Sequence, residues 1–118
     1  MQTPSRIAFA VAAITTGALM GTVVPASADD SCPAGALCVW EHANFQGHKG
    51  VFYEPQPDLT RQGLDKNISS LKNHDNEDWC LYAGKYYGGA DGRALSGRDL
   101  PTLGVFDDLT RSLQPCPY

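Results

Sequence analysis

The segment LDKNISSL, residues 64–71, is the most informative about the fold, because the chain repeats its pattern as FDDLTRSL at residues 106–113. Each segment begins with a bulky apolar residue, continues with an aspartate and closes with Ser-Leu. The two segments lie 42 residues apart. A shared frame of this kind predicts either a repeated structural corner or a pair of related metal-binding loops.

The similarity extends outward from this segment when the chain is aligned with itself at the same offset. Seven of 39 pairs are identical, about three times the chance expectation of roughly 6% per position. The identical pairs are Cys38/Cys80, Gly47/Gly89, Gly50/Gly92, Thr60/Thr102, Asp65/Asp107, Ser70/Ser112 and Leu71/Leu113. We therefore infer two copies of one unit, residues 36–74 and 78–116.

Each unit is predicted to be all-β. Short segments rich in β-branched or aromatic residues alternate with turn residues, as in antiparallel sheets. They are ALCVWE, GVFYE, SSLKN, WCLYAG and TRSLQP. Four strands per unit predict an eight-stranded antiparallel sandwich. Two further segments, PDLTRQG at 57–63 and RDLPTLG at 98–104, are each compatible with a helical turn.

One spacing recurs in both units, an aromatic residue followed seven positions later by glycine. Trp40 precedes Gly47, and Tyr82 precedes Gly89. The glycine permits a positive φ where a hairpin folds back on the sheet, and its missing side chain leaves room for an aromatic ring. Each unit then ends at its serine, Ser70 or Ser112, 23 residues after the glycine.

In these residues the sequence resembles the βγ-crystallin family, whose Greek-key unit has an aromatic-x6-Gly hairpin and a later serine. The opening SCPAGALCVWEHANFQGHKGVFY, residues 31–53, is similar to the small secreted bacterial peptidase inhibitors that use this fold. That resemblance implies an extracellular protease as partner, with metalloproteinases as the named target class. The inhibitory loop of that family has two closely spaced cysteines in the second half, and this chain has no counterpart to it.

The first 28 residues have the composition of a secretory signal peptide. A basic start at Arg6 precedes an apolar stretch, and Ala26-Ser27-Ala28 provides a small-x-small cleavage site. We expect a mature domain of residues 29–118 that is secreted, monomeric and free of the membrane. Its formal charge of −5, from eight basic and thirteen acidic residues, argues against nucleic-acid binding.

Four cysteines in an exported chain of this size predict two disulfides. Three pairings are possible. We favour Cys32–Cys38, which closes a tight loop, together with Cys80–Cys116, which ties the second half. A zinc site is the competing interpretation, but Cys-x5-Cys is not a usual zinc spacing.

The repeated corners also resemble the calcium loops of βγ-crystallins, which read [Asn/Asp]-[Asn/Asp]-x-x-[Ser/Thr]-Ser and supply oxygen ligands. In the first corner Asp65 is followed by Lys66, which brings a positive charge to the second position. In the second corner Asp107 and Asp108 fit, but Arg111 stands at the fifth position, where the first corner has Ser69.

If position two of one loop works with position five of the other, the pair Lys66 and Arg111 makes one inactive site. The pair Asp108 and Ser69 then makes one intact site. We therefore predict at most one weak calcium site, with Asp65 and Asp107 as further candidate ligands and no required cofactor. The alternative is that both corners are purely structural, with their serines bonded to the backbone.

The sequence favours a secreted peptidase inhibitor that presents a surface loop to a protease cleft, and it does not favour an enzyme. No nucleophile-elbow serine is present. Three segments are candidate contact loops, and sequence does not rank them: Cys32–Cys38, Pro55–Asp58 and Tyr86–Gly92. The alternative function is a calcium-binding or extracellular interaction or structural module.

Overall fold

The computed structural model describes residues 29–117, and the predicted signal peptide lies outside these residues. Seven strands and three short 3-10 turns make up the described fold. The strands are β1 Leu37–His42, β2 Gln46–Phe52, β3 Ser70–Asn73, β4 Trp79–Tyr82, β5 Asp91–Ala94, β6 Asp99–Leu100 and β7 Ser112–Pro115. The turns are Leu59–Gln62, Lys85–Tyr87 and Gly104–Phe106. No helix within the described residues is long and apolar enough to cross a membrane.

The strands form two antiparallel sheets, and each sheet pairs with a segment from the other repeat. One sheet has the order β2-β1-β3-β6 and the other the order β5-β4-β7. Strand β6 belongs to the second repeat but pairs with β3 of the first. In the reverse direction Gln56 of the first repeat forms a single bridge to Leu113 of β7. Each repeat therefore lends a segment to the sheet of the other.

The all-β antiparallel fold is confirmed, but the expected eighth strand is reduced to that one bridge at Gln56. The reason is local. Pro55 and Pro57 flank Gln56, and proline has no N–H to donate to a ladder. Only Gln56 can pair in both directions, and its backbone does so with Leu113 at 2.8 and 3.0 Å.

The core lies between the sheets and follows the alternation of each strand. Leu37 and Val39 of β1 and Trp79 and Leu81 of β4 all point inward and are at most 3% exposed. The intervening Cys38 belongs to a separate cluster with Trp40 on the outer face. Burial on both faces explains why the first four residues of β1 are all apolar.

Two disulfides are present, Cys32–Cys38 and Cys80–Cys116, in the pairing that the sequence favoured. They close loops with sequence separations of 6 and 36. Cys38 of β1 and Cys80 of β4 are equivalent positions of the two repeats. Each is bonded to a cysteine near one end of the domain, Cys32 or Cys116. In the first repeat the partner cysteine precedes the strand, and in the second it follows.

The first of the two expected helical turns is present, and the second is not. Leu59–Gln62 forms a 3-10 turn capped by Asp58, whose carboxylate accepts the N–H of Thr60 at 3.0 Å. In the second segment, 98–104, Asp99–Leu100 is extended because it pairs with β3, and the 3-10 turn Gly104–Phe106 begins only at the last residue of the segment. The expectation of a helical turn within 98–104 was wrong because strand pairing extends the start of the segment.

Candidate functional site

The recurring glycines stand where the hairpins require a left-handed backbone. Gly47 has φ 87° and Gly89 has φ 78°, values that suit glycine far better than other residues. A Cβ placed on Gly47 would lie 2.5 Å from the ring of His42. Glycine is therefore required at position 47 for two reasons: the positive φ and the close contact with His42.

Aromatic rings meet over both hairpins, as the spacing predicts. Trp40 and Phe45 pack edge to face with ring centroids 5.3 Å apart. Tyr82 and Tyr87 repeat the arrangement at 5.7 Å. Both distances fall in the range preferred by edge-to-face aromatic pairs.

The serine that closes each repeat fastens its hairpin. The buried Ser70 hydroxyl accepts the N–H of Phe45 at 3.0 Å and donates to the carbonyl of His42 at 2.6 Å. Ser112 makes the same two bonds 42 residues later, at 2.9 and 2.6 Å. We call this pair of bonds the serine latch. It gives the repeated serines a structural role in both corners.

The two corners lie side by side and are joined by reciprocal backbone bonds. Lys66 N–H donates to the carbonyl of Thr110 at 2.8 Å, and Asp108 N–H donates to the carbonyl of Ile68 at 3.0 Å. Lys66 and Asp108 also share a positive φ, 55° and 59°. Side chains from one corner are therefore within reach of the other.

An arginine fills the space between the corners on one side. Arg111 Nε and a terminal nitrogen donate to the two carboxylate oxygens of Asp65 at 3.0 and 3.2 Å. This bidentate hydrogen bonding raises the pKa of Arg111 above its usual value. Asp65 thus has a cationic partner within the protein, so this side does not fit a calcium ion.

On the other side, two predicted calcium ligands meet. Ser69 Oγ donates to a carboxylate oxygen of Asp108 at 3.1 Å across the corners. Asp107 is exposed. No group of three or more His, Cys, Asp or Glu side chains that could hold a metal occurs in residues 29–117. The donor set of this side is one carboxylate and one hydroxyl, which fits only a weak hard-cation site completed by backbone carbonyls.

Two of the three candidate contact loops come together in space. Tyr86 N–H donates to the carbonyl of Pro57 at 2.8 Å, and Lys85 Nζ lies 3.7 Å from the carboxylate of Asp58. A groove of about 270 Å³ runs between them. Its lining residues are Gln56, Pro57, Asp58, Arg61, Gln62 and Tyr86. We call this surface, with its bordering residues 54–58 and 85–86, the crossing face.

Asp58 ties the crossing face together electrostatically. Its pKa is lowered from the usual value, first by the backbone N–H of Thr60, then by the Thr60 hydroxyl, with a smaller contribution from Lys85. The carboxylate therefore stays ionised at neutral pH. It caps the turn at 59–62 and holds the hairpin of the second repeat by the same group.

The third candidate loop, closed by Cys32–Cys38, is anchored elsewhere. Gly35 N–H donates to the carbonyl of His74 at 2.8 Å, and the His74 ring contacts the carbonyl of Cys32 at 3.0 Å. Lys72 Nζ donates to the carbonyl of Asp30 at 2.6 Å. These bonds fix the loop on strand β3 and its end.

The residues just before this loop cover the outer ring cluster. Trp40 Nε1 donates to the carbonyl of Asp29 at 3.0 Å, and Lys49 Nζ donates to that of Ser31 at 2.6 Å. Hydrogen bonds from Ser31, reinforced by Lys49, lower the pKa of Asp29 to about 2. The amino-terminal arm thus acts as a strap that buries Trp40.

The sequence placed Tyr86 at the start of the candidate contact loop Tyr86–Gly92 but gave it no role of its own. The structure adds two observations. Tyr86 is 69% exposed, and its φ is 56°. The signal in the sequence was its repeat partner, since Asn44 occupies the equivalent position 42 residues earlier.

Comparison with solved structures places the fold. A domain solved in work on the evolution of the eye lens βγ-crystallin domain fold superposes with a TM-score of 0.68 at 22% identity, covering 75% of this chain and 92% of that one. A βγ-crystallin from an archaeon gives 0.63 at 26% identity, covering 71% and 100%. One from Ciona intestinalis gives 0.63 at 21%, covering 70% and 100%.

Comparison of sequences gives a family. The profile described as peptidase inhibitor family I36 matches residues 25–93, more than half of the chain. No curated protein matches the chain significantly.

Proposed function

The chain belongs to peptidase inhibitor family I36, and we propose that it is a secreted, metalloproteinase-type inhibitor that presents a surface loop to a protease cleft. The single observation that carries this proposal is the family match over residues 25–93. The proposed partner is an extracellular protease. In this role the protein is a binding protein and not an enzyme.

The scaffold supports the proposal because tight inhibition requires loops that lose little entropy on binding. Two disulfides and two serine latches restrain a domain of about ninety residues. The Pro55–Asp58 segment is restrained further by Pro55, Pro57 and the bridge at Gln56. Such restraint is typical of a surface held ready for a partner.

Secretion is part of the proposal. We expect removal of residues 1–28 during export and a monomeric mature chain beginning at Asp29. Amino-terminal sequencing of protein recovered from the culture medium checks this, because a retained Met1 would contradict it.

The decisive experiment is an inhibition panel. The purified mature protein is titrated against metalloproteinases, subtilisin-like serine proteases and cysteine proteases. We expect nanomolar inhibition of at least one metalloproteinase and no effect on the cysteine enzymes. Protein reduced and alkylated at its four cysteines is the control and should be inactive. If no panel member is inhibited, the proposal is wrong.

A second candidate function is weak calcium binding at one site. The observation that favours it is the 3.1 Å contact between Ser69 and Asp108 across the corners. A calcium ion there would bind to Asp108, Ser69 and nearby backbone carbonyls, with Asp107 as the adjacent carboxylate. Calorimetric titration should give a stoichiometry of at most one. A stoichiometry of two would contradict the role assigned to Arg111.

A further inference from the structure

The tips of the two hairpins share a backbone but differ in their exposed residue. Asn44 has φ 59°, and Tyr86 has φ 56°. Asparagine is one of the few non-glycine residues that adopts this left-handed conformation readily, whereas a bulky tyrosine does so with strain. The second repeat therefore carries an unfavourable residue where the first shows a favourable one.

Tyr86 gains little burial in return for this strain, since it is 69% exposed. The bonds that hold the hairpin come from the backbone. Tyr86 N–H donates to Pro57 at 2.8 Å, and Tyr87 N–H donates to Ser112 Oγ at 2.9 Å. Asn44 N–H makes a similar bond to Pro101 at 2.9 Å. The phenol is thus dispensable for the hairpin.

The surroundings of Tyr86 are rigid. On one side Gln56 is bonded through both its N–H and its carbonyl to Leu113. On the other side Lys85 pairs with Asp58. A strained residue that persists in a rigid frame, with no structural gain from its side chain, is typical of a functional position.

We infer that Tyr86 is the anchor of a protease contact surface formed by the crossing face. This inference rests on the proposed inhibitory function and deepens it. The partner is a protease whose substrate cleft contains an apolar pocket that accepts an aromatic ring. Tyrosine is among the residues that dominate binding energy at interfaces, because its large ring is fixed by only two torsions.

The geometry also explains how the surface meets a cleft. Tyr86 lies exposed at a hairpin tip, and the stiff segment 54–58 is joined to that tip by the 2.8 Å bond from Tyr86 N–H to the carbonyl of Pro57. An anchor with a rigid extended neighbour presents two ordered elements at once. Its binding therefore needs little reorganisation of the inhibitor.

The experiment compares Tyr86→Asn with Tyr86→Phe in the mature protein, against a protease that the wild type inhibits. Tyr86→Asn copies the residue of the first repeat, so its melting temperature should equal or exceed that of the wild type. Its inhibition constant should rise by at least about tenfold, a typical loss for an anchor residue. Tyr86→Phe keeps the ring and should stay within about threefold of the wild type.

Val105→Asn is the matched control, because Val105 is 98% exposed in another 3-10 turn of the same repeat. It should leave inhibition unchanged. Tyr86→Gly is a second variant that tolerates the positive φ. Retained inhibition in folded Tyr86→Asn or Tyr86→Gly protein overturns the inference while leaving the proposed function intact. A wild type that inhibits no protease overturns both.

Discussion

The two repeats of this protein agree in the atoms that set the backbone and disagree in the side chains that face outward. Both carry the turn glycine, the edge-to-face aromatic pair and the serine latch, with bond lengths that match within 0.1 Å. They differ at the corner, where Ser69 is replaced by Arg111, and at the hairpin tip, where Asn44 is replaced by Tyr86. The backbone constraints are shared, and the exposed chemistry is specific to each repeat.

Each residue is therefore best interpreted by comparison with its partner 42 positions away. Where the pair is identical, as at Ser70 and Ser112, a structural role accounts for both. Where one member is costly for its backbone, as Tyr86 is beside Asn44, the cost points to function. The repeat supplies an internal reference within one chain.

The largest expected effect is the loss of stability when a disulfide is removed, and this loss should differ between the two disulfides. Replacing Cys80 and Cys116 by serine should lower the free energy of unfolding by about 4 kcal/mol, and replacing Cys32 and Cys38 by about 2 kcal/mol. The reason is loop length, since the sequence separations are 36 and 6. Urea unfolding of the two double variants measures the difference. Equal losses would show that the short loop stabilises mainly by fixing the amino-terminal strap.

The next effect tests the equivalence of the serine latches. Ser70→Ala and Ser112→Ala should each cost about 1–3 kcal/mol, because each leaves a part-buried N–H and a carbonyl without the buried hydroxyl that bonds them. The control is Ser69→Ala, whose hydroxyl bonds an exposed carboxylate and should cost less than about 1 kcal/mol. Thermal unfolding measures all three. Unequal losses of stability in Ser70→Ala and Ser112→Ala would show that the two serine latches are not equivalent.

A smaller and stabilising effect is expected at Thr110. Its hydroxyl is buried without a hydrogen-bond partner among residues 29–117, and its repeat partner is the buried Ile68. Thr110→Val removes the unpaired hydroxyl and should stabilise the fold by about 1 kcal/mol. The reciprocal control, Ile68→Thr, should destabilise it. A stabilising Ile68→Thr would contradict the explanation.

The smallest effect on stability is expected when both altered positions of the inactive site, Lys66 and Arg111, are restored, and this change should increase the response to calcium. Lys66→Asp with Arg111→Ser gives the loop pattern Asp-Asp-x-x-Ser-Ser at both 65–70 and 107–112 and releases Asp65 from its ion pair. The variant should melt slightly lower without calcium, and calcium should raise its melting temperature more than that of the wild type. Arg61→Ser, at an exposed arginine, is the control. If the variant and the wild type respond identically to calcium, Arg111 does not take the place of a calcium ion beside Asp65.

The sequence predicted those features that depend on local chemistry. Gly47 and Gly89 indicated the left-handed turns, the aromatic spacing indicated a ring at each turn, and the cysteine count with the short Cys32–Cys38 spacing indicated the disulfides. The pair Lys66 and Arg111 was expected to make one site at the corners inactive. In the structure Arg111 lies within bidentate distance of Asp65.

The remaining features depend on contacts between distant segments. PDLTRQG forms a turn, whereas RDLPTLG begins as a strand because Asp99–Leu100 pairs with the distant strand β3. The convergence of Pro57 with Tyr86 is also a product of strand exchange. Sequence therefore named both loops but did not indicate that they form one surface.

The exchange of segments between the sheets affects what happens if a protease cuts the chain. A single cut of the chain within 54–58 would leave β1 and β2 on one fragment, yet β1 would still pair with β3 on the other. Gln56 would keep its bonds to Leu113 on whichever fragment retained it. Neither disulfide spans this segment, so the two pieces would be held together by the sheets alone. A nicked molecule would remain assembled and could still occupy the enzyme that cut it.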